Sequence, residues 1–326
     1  MPVVVQKYGG TSVADSARIK AVADRVVRTR EEGNDLVVVV SAMGKTTNSL
    51  LDLAAEVSTK PHPREMDMLL TAGERISMAL LAMALNDRGV PAVSYTGSQA
   101  GILTDSAHGG ARITQITGER VRASIDEGKV VIVAGFQGVD PNSKEVTTLG
   151  RGGSDTTAVA LAATLGAASC EILTDVAGVF SADPGVVAEA RLLADIGYEQ
   201  MLALANAGAG VLMPHSVETA RDNEVPVHVR SSFTDEEGTR VRLEVPARPF
   251  VGIAHRVDDD HGVVTVVGSE AHAAATNEMV AMHDAGIVTA VISADEQSVS
   301  LHVAPEQIDD AVRLLHARLF QMEATK

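Results

Sequence analysis

The fold is decided by one stretch, Thr147-Thr148-Leu149-Gly150-Arg151-Gly152-Gly153-Ser154-Asp155-Thr156-Thr157. An apolar run before it, at residues 130–134, predicts a buried strand, and an alanine-rich run after it, at 158–168, predicts a helix. The glycines allow a tight turn, and a helix start offers free N–H groups to an anion. Arg151 adds a guanidinium that can hold a carboxylate with two hydrogen bonds. The alternative is a plain turn capped by Ser154 or Asp155.

Composition limits the classes of protein to consider. The chain has 326 residues, enough for two domains, and its net charge of −16 argues against nucleic acid or an anionic membrane as a partner. The single cysteine, Cys170, excludes an intrachain disulfide and favours a reducing compartment. Because no uninterrupted apolar run is long enough to span a bilayer, we expect a soluble, cytoplasmic protein.

Three further polar loops with glycines follow predicted strands, at residues 7–12, 41–48 and 174–183. In the first, Gly9 and Gly10 with Lys7 form the pattern of a phosphate-binding turn. The second is not a Walker A motif, because the required first glycine would fall at Val39. Loops that follow parallel strands share one edge of a sheet, so we expect Lys7, Arg151 and Asp155 near one cleft.

A long apolar helix is predicted at residues 65–86, interrupted by Gly73-Glu74-Arg75. A glycine beside charged residues in such a helix indicates a close approach or a binding site, and the alternative is that Glu74 is a solvated helix residue. The sequence contains no His-Glu-x-x-His, paired-cysteine or calcium-loop motif, so no protein-bound metal site is predicted.

Strands that alternate with helices, with nearly continuous apolar strands, predict an α/β fold: an open, mostly parallel sheet with helices on both faces. After a polar segment at 233–250, the predicted strands and helices follow a different order. Predicted strands and helices over residues 251–326 indicate a small α+β, ferredoxin-like unit.

Taken together, five motifs resemble those of the aspartate kinases, a branch of the amino-acid kinases. They are Lys7-Tyr8-Gly9-Gly10-Thr11-Ser12, Ser41-Ala42-Met43-Gly44, Gly73-Glu74-Arg75, Thr148-Leu149-Gly150-Arg151-Gly152-Gly153-Ser154-Asp155 and Thr174-Asp175-Val176. The resemblance implies an amino-acid kinase catalytic domain at 1–232, a linker at 233–250 and a single ACT-like domain at 251–326.

The resemblance also implies an activity, the phosphorylation of the β-carboxylate of L-aspartate by ATP with Mg²⁺, on the route to lysine and threonine. Lys7 and Asp155 would be catalytic, with Asp155 orienting Lys7. The implied aspartate-binding residues are Ser41, Thr47, Glu74 and Arg151, with Glu74 meeting the ammonium group. The implied nucleotide-binding residues are Gly9, Gly10, Thr174, Asp175, Phe180 and Asp183.

The chain departs from the family at three places. Gly185 and Gly210 stand where the family has an arginine and a lysine near the nucleotide, and the C-terminal part has room for about one ACT unit instead of two. We therefore expect weak ATP binding, an enzyme insensitive to lysine and threonine, and a homodimer formed through the ACT-like domain. The alternatives are a catalytically degenerate regulatory or scaffold subunit, or a kinase of another amino-acid carboxylate.

Overall fold

The computed structural model describes residues 1–258 and 261–321. These fall into two compact units. The first comprises Met1–Ala177 with Asp222–Glu236, and the second comprises Gly178–Arg221 with Glu237–Lys326.

The main sheet of the first unit is parallel throughout. Its strands in spatial order are β11 (Val227–Ser231), β9 (Ser169–Thr174), β1 (Val3–Tyr8), β2 (Asp35–Val40), β6 (Val130–Ala134) and β3 (Ala92–Tyr95). All carboxyl ends of parallel strands meet at one edge, which is where open α/β sheets bind ligands.

Helices cover both faces of this sheet. They are α1 (Ser16–Glu31), α4 (Ala72–Asn86), α5 (Glu119–Asp126) and α6 (Gly153–Leu165). Two further helices, α2 (Thr46–Val57) and α3 (Pro63–Leu70), pack on each other, and α3 packs on α4. Alternate strand residues such as Val38 and Ile132 pack against α1 and α4 in one core cluster. Their neighbours Val37 and Val131 are equally buried and point to the opposite face, because successive side chains of a strand alternate. The predicted α/β sheet with two covered faces is confirmed.

The predicted helix at 65–86 is two helices, since α3 ends before Thr71 and α4 begins after it. The combined stretch Pro63–Asn86 is long and apolar enough to cross a membrane by length and composition alone, although a core helix passes the same test. In the structure α4 packs on β3 and β6, and the stretch buries the carboxyl groups of Asp67 and Glu74. These are the contacts of a core helix.

A second small sheet in the first unit is absent from the sequence-based prediction. It contains, in spatial order, β5 (Ile113–Ile116), β4 (Ile102–Thr104), β7 (Gln137–Val139) and β8 (Val146–Thr148). Ile116 pairs with Ile102 at the end of β5, and helix α5 starts after this strand, at Glu119. The glycine-rich loop at 149–153 also follows β8, and not β6 directly.

The second unit contains a parallel pair and an antiparallel sheet. Strand β10 (Asp195–Gly197) pairs with β12 (Thr239–Arg242), which lies in the segment predicted as a linker, and the helices α7 (Tyr198–Asn206) and α8 (Pro214–Asp222) follow β10. The antiparallel sheet has the spatial order β13 (Gly252–Asp258), β14 (His261–Val267), β16 (Ser298–Val303) and β15 (Ala290–Ala294).

Helix α9 (Ala271–Asp284) connects β14 to β15, and α10 (Ile308–Gln321) follows β16. This spatial order of strands, joined by helices, is that of a ferredoxin-like unit. The strand that usually ends such a unit corresponds here to β13, which comes first in the chain. Buried side chains of the sheet and of α10, including Val264, Leu301 and Leu315, form its core. The predicted α+β unit is confirmed.

Candidate active site

An ion pair lies at the carboxyl edge of the parallel sheet. Lys7 Nζ, near the end of β1, is 2.6 Å from Asp155 Oδ1, in the first turn of α6. The two side chains are only 12% and 10% exposed, so the pair is shielded from bulk water. A buried charge needs a partner of opposite charge, and Lys7 and Asp155 are partners of this kind for each other. The lysine is therefore held in one place, beside the turn that follows β1.

Two close backbone contacts bring the start of α6 to this edge. Gly135, just after β6, has no room for a Cβ atom, because Ser154 Oγ would lie 2.7 Å away. The N–H of Phe136 donates to Thr157 Oγ1 at 3.1 Å, one turn further along the helix. The first turn of α6 is therefore packed against the end of β6, which orients its N–H groups and its positive dipole end towards the sheet edge.

Arg151 lies at the tip of the glycine-rich loop, between Gly150 and Gly152. Both glycines are in the left-handed region, with φ of +74° and +69°, which side chains other than glycine rarely adopt. Arg151 is exposed, and among the described residues its guanidinium has no hydrogen bond or ion pair. A free guanidinium beside a helix N-terminus is suited to bind an external carboxylate.

Glu74 lies against the loop that follows β2. Its Oε1 accepts a hydrogen bond from the Ala42 N–H at 3.2 Å, whereas Oε2 is buried with no partner among the described residues. Gly73 permits this approach, since a Cβ there would lie 2.6 Å from Ala42 Cβ. The side chain is only 4% exposed, and an unpartnered buried carboxylate oxygen is costly unless a ligand meets it.

Burial raises the pKa of Glu74 to about 7, and its hydrogen bond from Ala42 only partly opposes this. A carboxyl group whose pKa is raised on folding stabilises the protein below the unfolded pKa, and this contribution is lost as the pH rises through the folded value.

We therefore predict that the ligand-free protein loses about 3 kcal/mol of folding free energy between pH 5 and pH 8 through Glu74 alone. A Glu74→Gln variant should lack this loss, so the Tm difference between wild type and variant should change with pH. The exposed Glu119→Gln serves as the matched control. Parallel Tm profiles for wild type and Glu74→Gln would contradict the prediction.

The loop that contains Ser41 and Gly44 touches the turn that contains Gly10. The Ser41 N–H donates to Tyr8 O and the Gly44 N–H donates to Gly10 O, both near 3.0 Å. A Cβ on Gly10 would be 3.0 Å from Ala42 O, so only glycine lets the two loops touch. Ser41 is half-buried in this loop, and Thr47 is half-buried in the first turn of α2. Ser41 therefore lies in the loop that Glu74 contacts, and Thr47 lies at the start of α2, the helix that follows this loop.

The turn at Gly9 and Gly10 faces the end of β9. The Gly9 N–H donates to Leu173 O at 3.3 Å, which sets this turn beside Thr174 and Asp175. A Cβ on Gly9 would lie 3.6 Å from Lys7 Nζ and would fill space beside the ammonium group. Thr174 Oγ1 donates to the exposed carboxylate of Asp175 at 3.1 Å. The arrangement leaves room for an anionic group next to Lys7.

Phe180 and Asp183 belong to the second unit, where they lie on one loop. Phe180 is half-buried and forms an isolated bridge with Leu192, and Asp183 is exposed, with Oδ1 accepting from the Gly185 N–H at 2.7 Å. Between them, Ser181 Oγ lies 2.9 Å from Nε2 of the buried His316 on α10. Burial lowers the pKa of His316, which keeps it neutral. The contact between Ser181 and His316 thus fixes this loop to α10 of the ferredoxin-like unit.

Sequence reasoning missed a buried polar network around Asp67. The carboxylate accepts from Thr148 Oγ1 at 2.5 Å and from the Gly109 N–H at 3.1 Å, and Oδ2 lies 2.6 Å from His108 Nδ1. The sequence shows His108 without a partner at helical spacing, because its partner is 41 residues away. The available signal was an aspartate inside an apolar helix.

Comparison with known proteins identifies relatives of this chain. The model of the amino acid kinase family matches residues 2–231. An aspartokinase of Mycolicibacterium smegmatis is 58% identical over 82% of the chain, and the chain spans 64% of that relative's length. An aspartokinase of Geobacillus stearothermophilus is 50% identical over 97% of the chain and 79% of its own length.

The solved structure of E. coli aspartokinase III in complex with aspartate and ADP has the same fold. It aligns over 98% of this chain and 100% of its own, with a TM-score of 0.87 and 22% identity. The architecture is thus shared over both units.

Proposed function

The chain belongs to the amino acid kinase family, in its aspartokinase branch, and on that premise we propose that it transfers the γ-phosphate of ATP to the β-carboxylate of L-aspartate, giving 4-phospho-L-aspartate. The observation that carries the proposal is the shielded Lys7–Asp155 ion pair between a glycine turn and a helix N-terminus. Phosphoryl transfer requires mainly positioning and positive charge around the moving group, and this arrangement supplies both.

On the acceptor side, we assign the α-carboxylate or β-carboxylate of aspartate to the free guanidinium of Arg151. The ammonium group is assigned to Glu74 Oε2, the buried oxygen that lacks a partner. Ser41 and Thr47 supply hydroxyl groups on the same loop and helix start. The pairing of a cation and an anion in one site fits the carboxylate and ammonium groups of an amino acid.

On the nucleotide side, the phosphates are assigned to the turn at Gly9 and Gly10, with Lys7 neutralising the transferring group. Thr174 and Asp175 are assigned to the rest of the nucleotide. The roles of Phe180 and Asp183, which belong to the second unit, stay a prediction from the family resemblance. The structure of E. coli aspartokinase III contains aspartate and ADP, which supports a nucleotide as the second substrate.

Mg²⁺ is proposed to enter with ATP, because this ion usually keeps substrate phosphates among its ligands. When bound, it neutralises part of the phosphate charge. Among residues 1–258 and 261–321, no group of three His, Cys, Asp or Glu side chains is placed to hold a metal ion.

The chemistry needs no general base, since a carboxylate is already a nucleophile at neutral pH. Asp155 holds Lys7 Nζ at a fixed point, so the positive charge is present without reorganisation when negative charge spreads over the phosphoryl oxygens. The role of Asp155 is therefore to position Lys7, and the role of Arg151 is to position the aspartate by one of its carboxylates.

The domain assignment is part of the same proposal: a catalytic domain at 1–232, a connection at 233–250 and one ACT-like domain at 251–326. The family match to 2–231 and the ferredoxin-like sheet support it. We propose that the chain is cytoplasmic, serves lysine and threonine synthesis, and forms a homodimer through the edge of its ACT-like sheet, where β15 is exposed along its whole length.

A hydroxamate assay tests the function. Wild type with ATP, Mg²⁺ and hydroxylamine should form aspartyl hydroxamate from aspartate and little product from glutamate. We expect added lysine and threonine to leave the rate unchanged. Equal rates with glutamate would favour the kinase of another carboxylate, and a folded protein without product would favour the degenerate subunit.

A separate prediction concerns the two glycines on the nucleotide side. Gly185 and Gly210 are exposed and carry no side chain where the family has cations, and a charge-assisted contact to phosphate contributes roughly 1.5–3 kcal/mol. We expect ATP to bind with a dissociation constant in roughly the millimolar range.

Gly185→Arg should tighten ATP binding by about tenfold or more, measured by calorimetric titration. The backbone at Gly185 has no positive φ, so an arginine fits there, with only Asp183 Oδ1 within 3.1 Å of the new Cβ. Arg240→Ala, at an exposed arginine of β12, is the control for a change in net charge. A micromolar constant for wild type, or no change in Gly185→Arg, would contradict the prediction.

A further inference from the structure

Asp67 is a fully buried carboxylate outside the site described above. It lies on α3, with no exposed surface, and is bonded to Thr148 at the end of β8 and to His108 and Gly109 in the turn after β4. Burying a carboxylate is expensive, and a hydrophobic residue would fill the same space in a helix without that cost. The network therefore indicates a role besides packing.

The segments that Asp67 holds together lead directly into the Arg151 loop. Thr148 is three residues before Arg151, and its carbonyl accepts a hydrogen bond from the Ala111 N–H at 2.8 Å. Gly109 O lies 3.4 Å from the position that a Cβ on Gly150 would occupy, so the turn after β4 packs against the loop itself. The single carboxylate of Asp67 bonds to Thr148, just before the Arg151 loop, and to His108 and Gly109 in the turn after β4, so it connects the two segments.

Apart from the contacts around Asp67, the Arg151 loop is held by backbone hydrogen bonds from the Leu149 N–H to Phe136 O at 2.9 Å and from the Gly153 N–H to Gly150 O at 3.1 Å. Gly150 and Gly152 are flexible residues in left-handed conformations, and the Arg151 side chain has no partner among the described residues. Glycines adopt many backbone conformations at similar energy. Without an anchor at Thr148, a ligand that binds Arg151 must first order the loop, and that ordering weakens binding.

We propose that Asp67 is a positioning residue for the Arg151 loop: through Thr148 and the turn at His108 and Gly109, it holds the loop in the conformation that binds the acceptor carboxylate. The inference rests on the proposed function for its ligand, aspartate. It assigns to Asp67 no contact with substrate. Its effect is confined to the acceptor side, because Lys7 and the glycine turn at Gly9 and Gly10 are held by other contacts.

The test uses Thr148→Val, which removes the hydroxyl that bonds Asp67, and Thr148→Ser, which keeps it. Thr148→Val should raise the KM for aspartate by roughly tenfold, the usual loss for one hydrogen bond to a charged group, and leave the KM for ATP within about twofold. Thr148→Ser should restore the wild-type KM for aspartate. Thr104→Val is the matched control, because it removes a buried hydroxyl pair with Thr147 on the same small sheet.

A second readout does not depend on activity. Trypsin cleaves after Arg151, and a looser loop is cleaved faster, so Thr148→Val should be cut at this bond several times faster than wild type, Thr148→Ser and Thr104→Val. If Thr148→Val does not fold, His108→Gln, at a partly exposed position, is measured in its place.

The outcomes separate the inference from the proposed function. An unchanged KM for aspartate with unchanged tryptic cleavage, or equal effects in Thr148→Val and Thr104→Val, would overturn the role of Asp67. A folded wild type that forms no product would reject the proposed function, and the cleavage rates would still decide whether Asp67 orders the loop.

Discussion

A Lys7→Met variant is expected to lose at least about 10²–10³-fold in kcat for aspartyl phosphate formation, the usual effect of removing one preorganised donor to developing negative charge. The shielded position of Lys7 beside the glycine turn makes the effect large, since few water molecules can replace the ammonium group. The measurement is the initial rate of hydroxamate formation at saturating aspartate and ATP.

Stability is the confounding effect in this variant. Removing Lys7 leaves Asp155 as a buried, unpaired carboxylate, which typically costs about 3–5 kcal/mol. The double variant Lys7→Met/Asp155→Asn removes both charges, so it should regain most of the lost Tm and none of the activity. Lys20→Ala, at an exposed lysine of α1, should behave like wild type. Recovery of activity together with Tm in the double variant would contradict a catalytic role for Lys7.

An Arg151→Ala variant is expected to raise the KM for aspartate by about 10- to 150-fold, the loss of one charge-assisted contact worth roughly 1.5–3 kcal/mol. Arg151 is exposed and unpaired among the described residues, so its Tm should stay at the wild-type value. Arg151→Lys should recover only part of the affinity, because an ammonium group cannot form the bidentate pair.

The control for Arg151→Ala is Arg240→Ala, which removes an exposed positive charge on β12. The KM for ATP is measured in the same variants, and only the acceptor constant should change in Arg151→Ala. An equal rise in both constants would indicate that Arg151 contacts the nucleotide or that the charge acts at long range. An unchanged KM for aspartate would remove Arg151 from the acceptor site.

The proximity of Lys7 and Asp155, 148 residues apart in sequence, was predicted from the rule that loops after parallel strands share one edge. The loop before Asp155 in fact follows β8 of the small sheet, and contacts at Gly135 and Phe136 bring the start of α6 to that edge. The strand runs at 36–40 and 130–134 are apolar at nearly every position, and this identified a sheet buried on both faces. The ferredoxin-like unit was predictable from the order in which strands and helices alternate over residues 251–326.

The small sheet of β4, β5, β7 and β8 was not predictable, because strands of three or four residues carry too short a pattern to distinguish them from loops. The Asp67 network was missed for another reason. Its partners, His108 and Thr148, come from segments 41 and 81 residues away, and no local pattern connects them. Networks of this kind depend on the tertiary fold alone.

The most direct measurement of the central claim is phosphorus NMR of the wild-type protein with ATP, Mg²⁺ and aspartate labelled with carbon-13 at the β-carboxylate. We expect an acyl phosphate signal that is coupled to the labelled carbon and grows as the γ-phosphate signal of ATP declines. This signal should be absent with Lys7→Met. Release of inorganic phosphate without an acyl phosphate, or no change with folded protein, would contradict the central claim.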